Sequence, residues 1–538
     1  GPGELIVFFG IYIYILFKIF SIIFAFLVLF GSLGAFYYHL DRYNEYWRKR
    51  GISGPRGNFY NGSLVDLLKS THEFDKVNVE KYGKIFGSVL NGVPDLLIQD
   101  LDLLKEILIK NFDYFPDKPE FGNASKNDLR ASFLIAKKGD DWRRIRRRIT
   151  PAFTSGKIKK LIPAMQFCSN ELIKHLEKYA EDGIDVPLKD VLSKLTMNIM
   201  GRTVFAADLN SFDENETSLF LHYAKKMFQV SLKNPMVLFI VSFPNLVLVY
   251  SWLTGKTGFQ DDVIDYFTES LTNIMEQRLK DPQAAEKYND AFQLLLNALD
   301  DNEKIRVTTE DADIISEAIF QTESPKNEQS LSKIEVLAQL LLFLAAGYET
   351  TASTLHFVCY ILSRKPNVQQ KLREEVLQVL NGREAIDYED MSKLQYLSQV
   401  ISETLRMYPS IIRSGRVCKK DTVINGIEFQ KGNSVSYNIY NIHHDPDYYP
   451  DPFEFDPERF SPENKNSRHP LAYLPFGAGP RNCLGMRFAE FEMKLALADL
   501  VKNYNFLPSE EMPGLPVPIT SEAFLKPTVE LKCKIEKL

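Results

Sequence analysis

The stretch Phe476-Gly477-Ala478-Gly479-Pro480-Arg481-Asn482-Cys483-Leu484-Gly485 places a cysteine in a glycine-rich loop, two residues after an arginine. A helical pattern follows at once, with apolar residues at Leu484, Phe488, Phe491, Leu495 and Ala498. Those steps of three and four mark one buried helix face. Backbone N–H groups at a helix N-terminus and a neighbouring guanidinium both favour a thiolate over a thiol. The spacing therefore predicts that Cys483 is biased toward the thiolate, a soft and strongly donating metal ligand. The glycines let the backbone close tightly around the sulfur. A structural cysteine after a turn does not account for the complete Phe-x-x-Gly-x-Arg-x-Cys-x-Gly spacing.

Around this loop the chain is large, with 538 residues, 45% hydrophobic and 12% aromatic, and no repeat or long linker divides it after residue 60. That is ample for an extensive core. The net charge of −6 argues against nucleic acid as the main partner, since such partners favour a basic surface. Cys168, Cys359, Cys418, Cys483 and Cys533 lack paired spacing, which suggests a reducing compartment rather than a disulfide framework. With no Cys-x-x-Cys and no close Cys/His group, zinc is not expected. His443 and His444, read as an extended segment, point to opposite sides and are assigned a structural role.

Residues Leu5 to Tyr38 are almost continuously apolar, long enough to span a bilayer and longer than the apolar core of a cleaved signal. Arg42, Arg48, Lys49 and Arg50 follow, and Glu4 precedes. The positive-inside rule then puts the remainder on the cytoplasmic side. Gly51 to Gly57 breaks helix and strand alike, so a hinge is expected there. The resulting partition is an anchor at 1–40, a basic hinge at 41–60 and a globular body at 61–538. Sequons at Asn61, Asn123 and Asn215 offer a test of topology. Pro235 to Leu253 turns apolar again, but Pro244 interrupts it, so no second full span is expected. Residues 81–99 read as a hairpin turning at Asn91-Gly92, and 421–445 as a small β-sheet with turns at Asn425-Gly426 and Lys431-Gly432. The acidic stretch 300–330 is expected to be a mobile surface connection.

Three helical patterns carry polar groups at revealing spacings. Trp142, Ile145, Arg146 and Ile149 share one face. That face offers an indole N–H and a guanidinium one turn apart, suited to a buried carboxylate. Arg143, Arg144, Arg147 and Arg148 lie off it, as a solvated face or, with Lys157, Lys159 and Lys160, as a docking surface for an acidic partner. Ser332 to Leu362 is a long apolar helix containing Ala345-Ala346-Gly347-Tyr348-Glu349-Thr350-Thr351. Glu349 and Thr350 are costly there unless used or satisfied. Ala346 and Gly347 are expected to leave room beside them, and Gly347 weakens the helix by roughly 1 kcal/mol. The Thr350 hydroxyl can bond back to the preceding turn or donate to a ligand in a local gap. Glu403 and Arg406 share a helix face and can pair.

Taken together, these stretches resemble the cytochrome P-450 family over roughly residues 50 to 538. The family's motifs occur in its order: Trp142-x-x-x-Arg146, Ala346-Gly347-x-Glu349-Thr350-Thr351, Glu403-x-x-Arg406, Pro457-Glu458-Arg459-Phe460, and the cysteine loop. The stretches AGYETT, RVCKKD and FGAGPRNCLGMRFA look most like the animal microsomal clan that includes vertebrate drug- and steroid-oxidising enzymes. The resemblance implies a mainly α fold with small β-sheets (α+β) and an N-terminal transmembrane helix. It implies heme b (iron protoporphyrin IX), with Cys483 as the iron ligand and Trp142, Arg146, Arg416 and Arg481 around the propionates. Ala346 and Phe476 would also line the haem. Thr350 would steady dioxygen and Glu349 relay protons. Ala346, Ser410, Ile411 and Ile412 would line the substrate pocket, and Glu403, Arg406 and Arg459 would form a buried structural set. The implied activity is monooxygenation of a lipophilic substrate (steroid, fatty acid or xenobiotic) with electrons from NADPH through a reductase, and cytochrome b5 as a further partner. The implied location is the endoplasmic reticulum membrane, single-pass, with Pro235 to Leu253 similar to the loop between the F and G helices that dips into the bilayer. The hinge departs from the family by lacking the usual proline doublet, and the polar stretch before Ser332 is an insertion. Two other readings stay open: a thiolate-haem isomerase or dehydratase, which tends to lack the helical threonine, and a non-catalytic haem or sterol binder.

Overall fold

The computed structural model describes residues 2–58, 60–119, 129–213, 219–228, 234–258, 260–299, 330–521 and 524–538. Asn123, Asn215 and the acidic stretch up to residue 329 lie outside these described residues. The centre of the body is the helix Lys333–Arg364, opened by a capping box in which Ser332 and Glu335 satisfy each other's backbone N–H groups. It is apolar nearly all round and buried along most of its length, as expected for a helix at the middle of a large core. The helix Leu188–Phe205 packs along it, as do Gln395–Met407 and Met486–Asn503. Ser155–Asp182 closes the bundle by packing on both Leu188–Phe205 and Met486–Asn503. The Trp142/Ile145/Arg146/Ile149 face of the helix Gly139–Ile149 is buried, as its periodicity predicts.

A four-stranded sheet forms the second, smaller core. Its strand order is Ile85–Leu90, Val93–Ile98, Ser434–Asn438, Arg413–Val417. The first pair is the expected hairpin around Asn91-Gly92, with Leu90 opposite Val93. Val93–Ile98 then runs parallel to Ser434–Asn438, which pairs antiparallel with Arg413–Val417. The region 421–445 is less uniform than its alternation predicts. Thr422–Ile424 and Ile427–Phe429 form a separate hairpin, Ser434–Asn438 joins the large sheet, and the chain then turns helical over Ile439–His443. His443 and His444 are thus on a helix end, not an extended segment. The residues 439–443 follow Asn438, whose side chain caps them by accepting from Asn441 N–H.

The N-terminal apolar run is one helix, Pro2–Asp41, whose described side chains between Tyr12 and Tyr38 are exposed. The expected hinge behind it is docked on the body. Trp47 is buried edge-on against Phe429 at 6.3 Å, and Tyr46 Oη donates to Gln430 and Asn433 at 3.0 and 2.9 Å. A Cβ on Gly54 would collide with the Gly87 carbonyl, and one on Gly87 would collide with Trp47. These glycines serve close backbone approach rather than flexibility. Pro235–Ser242 and Leu246–Thr254 meet at 102°, so the second apolar run is bent, as Pro244 predicts. Trp252 at its end is 83% exposed. The run touches the body near the anchor: Asn91 Nδ2 donates to Val241 O at 3.3 Å, and the rings of Tyr60 and Phe243 lie 5.0 Å apart. Asn61 is buried in a turn, so this sequon cannot report topology.

Candidate haem-thiolate site

The cysteine loop closes on itself. Cys483 N–H donates to Phe476 O at 2.8 Å, Gly477 N–H to Leu474 O at 3.0 Å, and Asn482 N–H to Gly479 O at 3.0 Å. Gly477 and Gly479 adopt left-handed backbone angles, φ 74° and 71°, which only glycine takes at low cost. A Cβ on Gly479 would also run into the Leu108 carbonyl. The following helix, Met486–Asn503, begins just beyond Gly485. The side chain of Cys483 is accessible to solvent although protein surrounds it closely. The expected bias toward thiolate is corrected here. Burial pushes the thiol up, and the Gly485 N–H, Arg146 and Lys118 pull it down without prevailing. In the protein alone the enclosing body outweighs the loop's dipoles; a cation at the sulfur would reverse that balance.

Four cationic side chains converge beside the loop. Arg146 donates from its two terminal nitrogens to Asn482 O at 3.0 Å and Asn482 Oδ1 at 2.9 Å, so it holds the residue before the cysteine. Arg416, fully buried on its strand, donates to Gly415 O at 2.9 Å and Ala478 O at 3.4 Å. The Nε groups of both are buried and have no acceptor among the described residues. Arg481 behaves differently. It stacks over Trp142 at 4.1 Å and donates to Pro116 O, Lys137 O and Asp117 at 2.8, 2.9 and 3.0 Å. The structure places it as a tie between three segments, with its donors engaged. Lys118 is the residue that sequence reasoning missed. Burial, and then the Arg416 and Arg481 charges, bring its ammonium down to about 8, while Cys483 acts in the opposite sense. It sits in the irregular Pro116-Asp117-Lys118-Pro119 segment, where no periodicity marks it.

Three arginines and a lysine around one carboxylate, Asp117, leave a local surplus of positive charge. Orphaned guanidinium N–H groups in the same place call for acidic acceptors. A haem fits this donor set: two propionates for Arg146, Arg416, Lys118 and the Trp142 face, and an iron for the accessible Cys483 sulfur.

The long helix shows one open face. Ala346 is exposed in the middle of an otherwise buried helix, and Thr350 lies one turn on. Thr350 Oγ1 donates to Ala346 O at 2.6 Å, the back-bonded alternative of the two expected. Gly347 does not leave the expected room: a Cβ there would strike the Met200 sulfur, so its space is filled by the neighbouring helix. Glu349 pairs with Lys189 at 3.0 Å, a partner that no spacing or periodicity marks. Ser410 Oγ donates to Thr350 O at 3.4 Å, which brings the segment before the strand Arg413–Val417 to the same helix turn. Ile411 is partly exposed, but Ile412 is 1% exposed and packs in the core. The Ile412 carbonyl accepts the Ile439 N–H at 2.7 Å.

Glu403 and Arg406 are both 0% exposed and bond bidentately at 2.7 and 2.8 Å. Arg459 approaches Glu403 at 3.4 Å as a third member, as expected. The off-face arginines are not a uniformly solvated surface. Arg144 pairs with Glu335 at 2.6 Å, Arg143 with Asp113 and Asp140, both at 2.9 Å, and Arg148 is buried. Lys157 and Lys159 also have intrachain partners in Asn289 and Glu389.

The loop, the cationic cluster and the helix with its open threonine face define a haem-thiolate oxygenase site. Comparison with known proteins agrees: the family model described as Cytochrome P450 matches residues 52–535. The chain is 35% identical to "Cytochrome P450 3A11" of Mus musculus, covering 94% of this chain and 95% of that one. It is 35% identical to "Cytochrome P450 3A2" of Rattus norvegicus (91% and 92% covered) and 36% identical to "Cytochrome P450 3A28" of Bos taurus (91% of each). The chain belongs to the cytochrome P450 family, in an animal microsomal clan, and is a haem-containing P450 monooxygenase.

Proposed function

We propose that this chain is a membrane-anchored monooxygenase of the steroid-, fatty-acid- or xenobiotic-oxidising kind. Its electrons come from NADPH through a reductase, with cytochrome b5 as a further donor. The carrying observation is the accessible Cys483 sulfur in a close-packed interior, beside buried guanidinium N–H groups that have no acceptor among the described residues. When bound, haem supplies activation of dioxygen and transfer of one oxygen atom to substrate. Cys483 would hold the iron, and Arg146, Arg416, Lys118 and Trp142 would hold the propionates. Phe476 fixes the loop by accepting the Cys483 N–H at 2.8 Å. Thr350 holds its proton toward Ala346 O and keeps its oxygen available on the open face; rotating that hydroxyl would deliver the proton to a ligand there. Glu349, adjacent in sequence and held by Lys189 at 3.0 Å, would recharge it. The apolar residues around this face, including the crossed rings of Phe153 and Phe343 at 4.9 Å, exclude water and favour a lipophilic substrate.

Residues 1–40 would cross the endoplasmic reticulum membrane, 41–60 would join anchor to body, and 61–538 would form the catalytic unit on the cytoplasmic side. The bent apolar run beside Tyr60 would dip into the same leaflet, so lipophilic substrates arrive by way of the bilayer. Cys483→Ala should abolish the thiolate absorbance of the reduced carbon-monoxide complex; an intact band would remove Cys483 as the ligand. Thr350→Ala should divert NADPH electrons into peroxide, and unchanged coupling would remove Thr350 from the proton route. Titration with reductase and NADPH separates this reading from a peroxide isomerase, which turns over without them, and from a binder, which does not turn over.

A further inference from the structure

We propose that His443 is a positioning residue that ties the buried Glu403–Arg406 pair to the cysteine loop, and through that loop sets the position of Cys483. The proposal rests on Cys483 as the iron ligand. Arg406 donates to Glu403 from two nitrogens, and also to His443 O at 2.9 Å, Pro452 O at 2.7 Å and Glu454 O at 3.3 Å. The bond network continues through the His443 ring. Nδ1 lies 3.1 Å from Arg406 O, and Nε2 lies 2.8 Å from Leu474 N. A carbonyl can only accept and a backbone amide can only donate. Nδ1 must therefore carry the proton and Nε2 must be bare, which selects one neutral tautomer. The ring is fully buried and stacks on Tyr473 at 5.5 Å and 21°. Burial, and then the neighbouring His444 and Arg406 charges, hold it neutral, well below the usual imidazole range.

Leu474 is where the cysteine loop begins. Its carbonyl accepts the Gly477 N–H at 3.0 Å, and Phe476, two residues on, accepts the Cys483 N–H at 2.8 Å. A run of hydrogen bonds joined by short stretches of backbone thus leads from Glu403 through Arg406, His443 and Leu474 to Cys483. Losing the ring leaves the Leu474 N–H buried without an acceptor, and the loop is free to shift toward another one. A second tether, Tyr449 Oη to Ala472 O at 3.0 Å, holds the same approach; its ring lies against the Arg406 guanidinium at 5.1 Å, and Tyr449→Phe keeps that ring while removing only the hydroxyl bond. It serves as the local control.

The test uses the full-length haem-loaded protein in detergent. His443→Phe keeps the ring volume and removes both polar atoms. His443→Gln can keep a donor and an acceptor on a planar end, and His443→Asn is too short to span Arg406 O and Leu474 N. The readouts are the thiolate fraction of the reduced carbon-monoxide complex, the rate of haem transfer to an apo-globin, and the unfolding midpoint. His443→Phe should convert most of the complex to the protonated-thiol form and speed haem loss about ten-fold, the usual scale for outer-shell partners of a ligand. His443→Gln should restore most of the thiolate fraction, and Tyr449→Phe should leave it unchanged at a comparable loss of stability. A wild-type thiolate fraction in His443→Phe overturns the proposal, as does equal damage in Tyr449→Phe. If His443→Phe does not accumulate, equal thiolate fractions in His443→Gln and His443→Asn overturn it. An intact thiolate band in Cys483→Ala would instead refute the ligand assignment on which it rests.

Discussion

Gly347→Ala puts two effects of similar size against each other. In an exposed helix the change should stabilise by about 1 kcal/mol, because alanine loses less backbone entropy. In the helix Lys333–Arg364 the new methyl would meet the Met200 sulfur, and would lie 2.8 Å from its Cε and 3.3 Å from its Cγ. Ordinary carbon contacts sit near 3.5–4.0 Å. Methionine is adaptable, but three consecutive atoms conflict here, and Met200 is buried on Leu188–Phe205, the helix packed along this one. Overpacking of this kind costs about 1–3 kcal/mol. The expected net result is destabilisation by about 1 kcal/mol, together with a small shift of Ala346 and Thr350. The assay is a double-mutant cycle with Met200→Ala, read by denaturant unfolding of the haem-loaded protein. Met200→Ala alone should cost about 2–5 kcal/mol through the cavity it leaves. The double variant should be less destabilised than the sum by about 1–3 kcal/mol, since the new methyl occupies part of that cavity. Stabilisation by Gly347→Ala alone, with an additive cycle, would show that this glycine does not set the helix spacing.

Two further perturbations follow from buried charge. Asp75 is fully buried, and desolvation raises its carboxyl from 3.8 to about 6, with Asp95 adding to the rise and Arg413 and Asn438 opposing it. A carboxyl whose folded pKa is raised contributes stability below its unfolded pKa and loses it as pH climbs through the folded one. Relative to Asp75→Asn, the wild type should therefore lose about 2.4 kcal/mol between pH 4 and pH 7, most of a shift of roughly two pKa units; parallel stability curves for the two proteins would refute this. Lys189→Met removes the partner of Glu349, 3.0 Å away in a partly exposed pair. It should cost about 1 kcal/mol of stability and lower product formed per NADPH up to about five-fold, the factor that energy represents, with peroxide rising to match. Lys189→Arg should keep most of the coupling, and full coupling in Lys189→Met would show that the ion pair does not hold the acid in its working position.

What could be read from the chain was whatever is written in consecutive residues. The cysteine loop, the Trp142/Arg146 face, the Glu403/Arg406 pair and the Asn91-Gly92 hairpin each rest on spacings within one element, and local backbone geometry turns spacing into position. The partners that complete the site come from elsewhere. Lys118 arrives on an irregular segment, Lys189 at the start of another helix, and His443 through a bond to an amide that any residue could have supplied. Periodicity carries no information about such encounters. The same limit explains three of the expectations that changed sense. The docked hinge and the filled space at Gly347 both turn on what a glycine faces across a gap. The thiol pKa turns on how much protein surrounds the sulfur.

These differences bear on how the site works. A loop that lowered the cysteine pKa by itself would hold a thiolate with or without a metal. Here burial opposes the thiolate, so on the proposed reading a haem iron would supply much of the positive charge that stabilises it. Arg146 and Lys118 act on the sulfur in the same sense as a metal would, but do not prevail over burial, and Arg481 is engaged by Asp117. The Nε groups of Arg146 and Arg416, buried and without an acceptor among the described residues, call for acidic acceptors. Thiolate and propionate sites then depend on the same occupant, and each is incomplete without it. Retention of the prosthetic group and retention of the thiolate should accordingly fail together in any variant that loosens the loop.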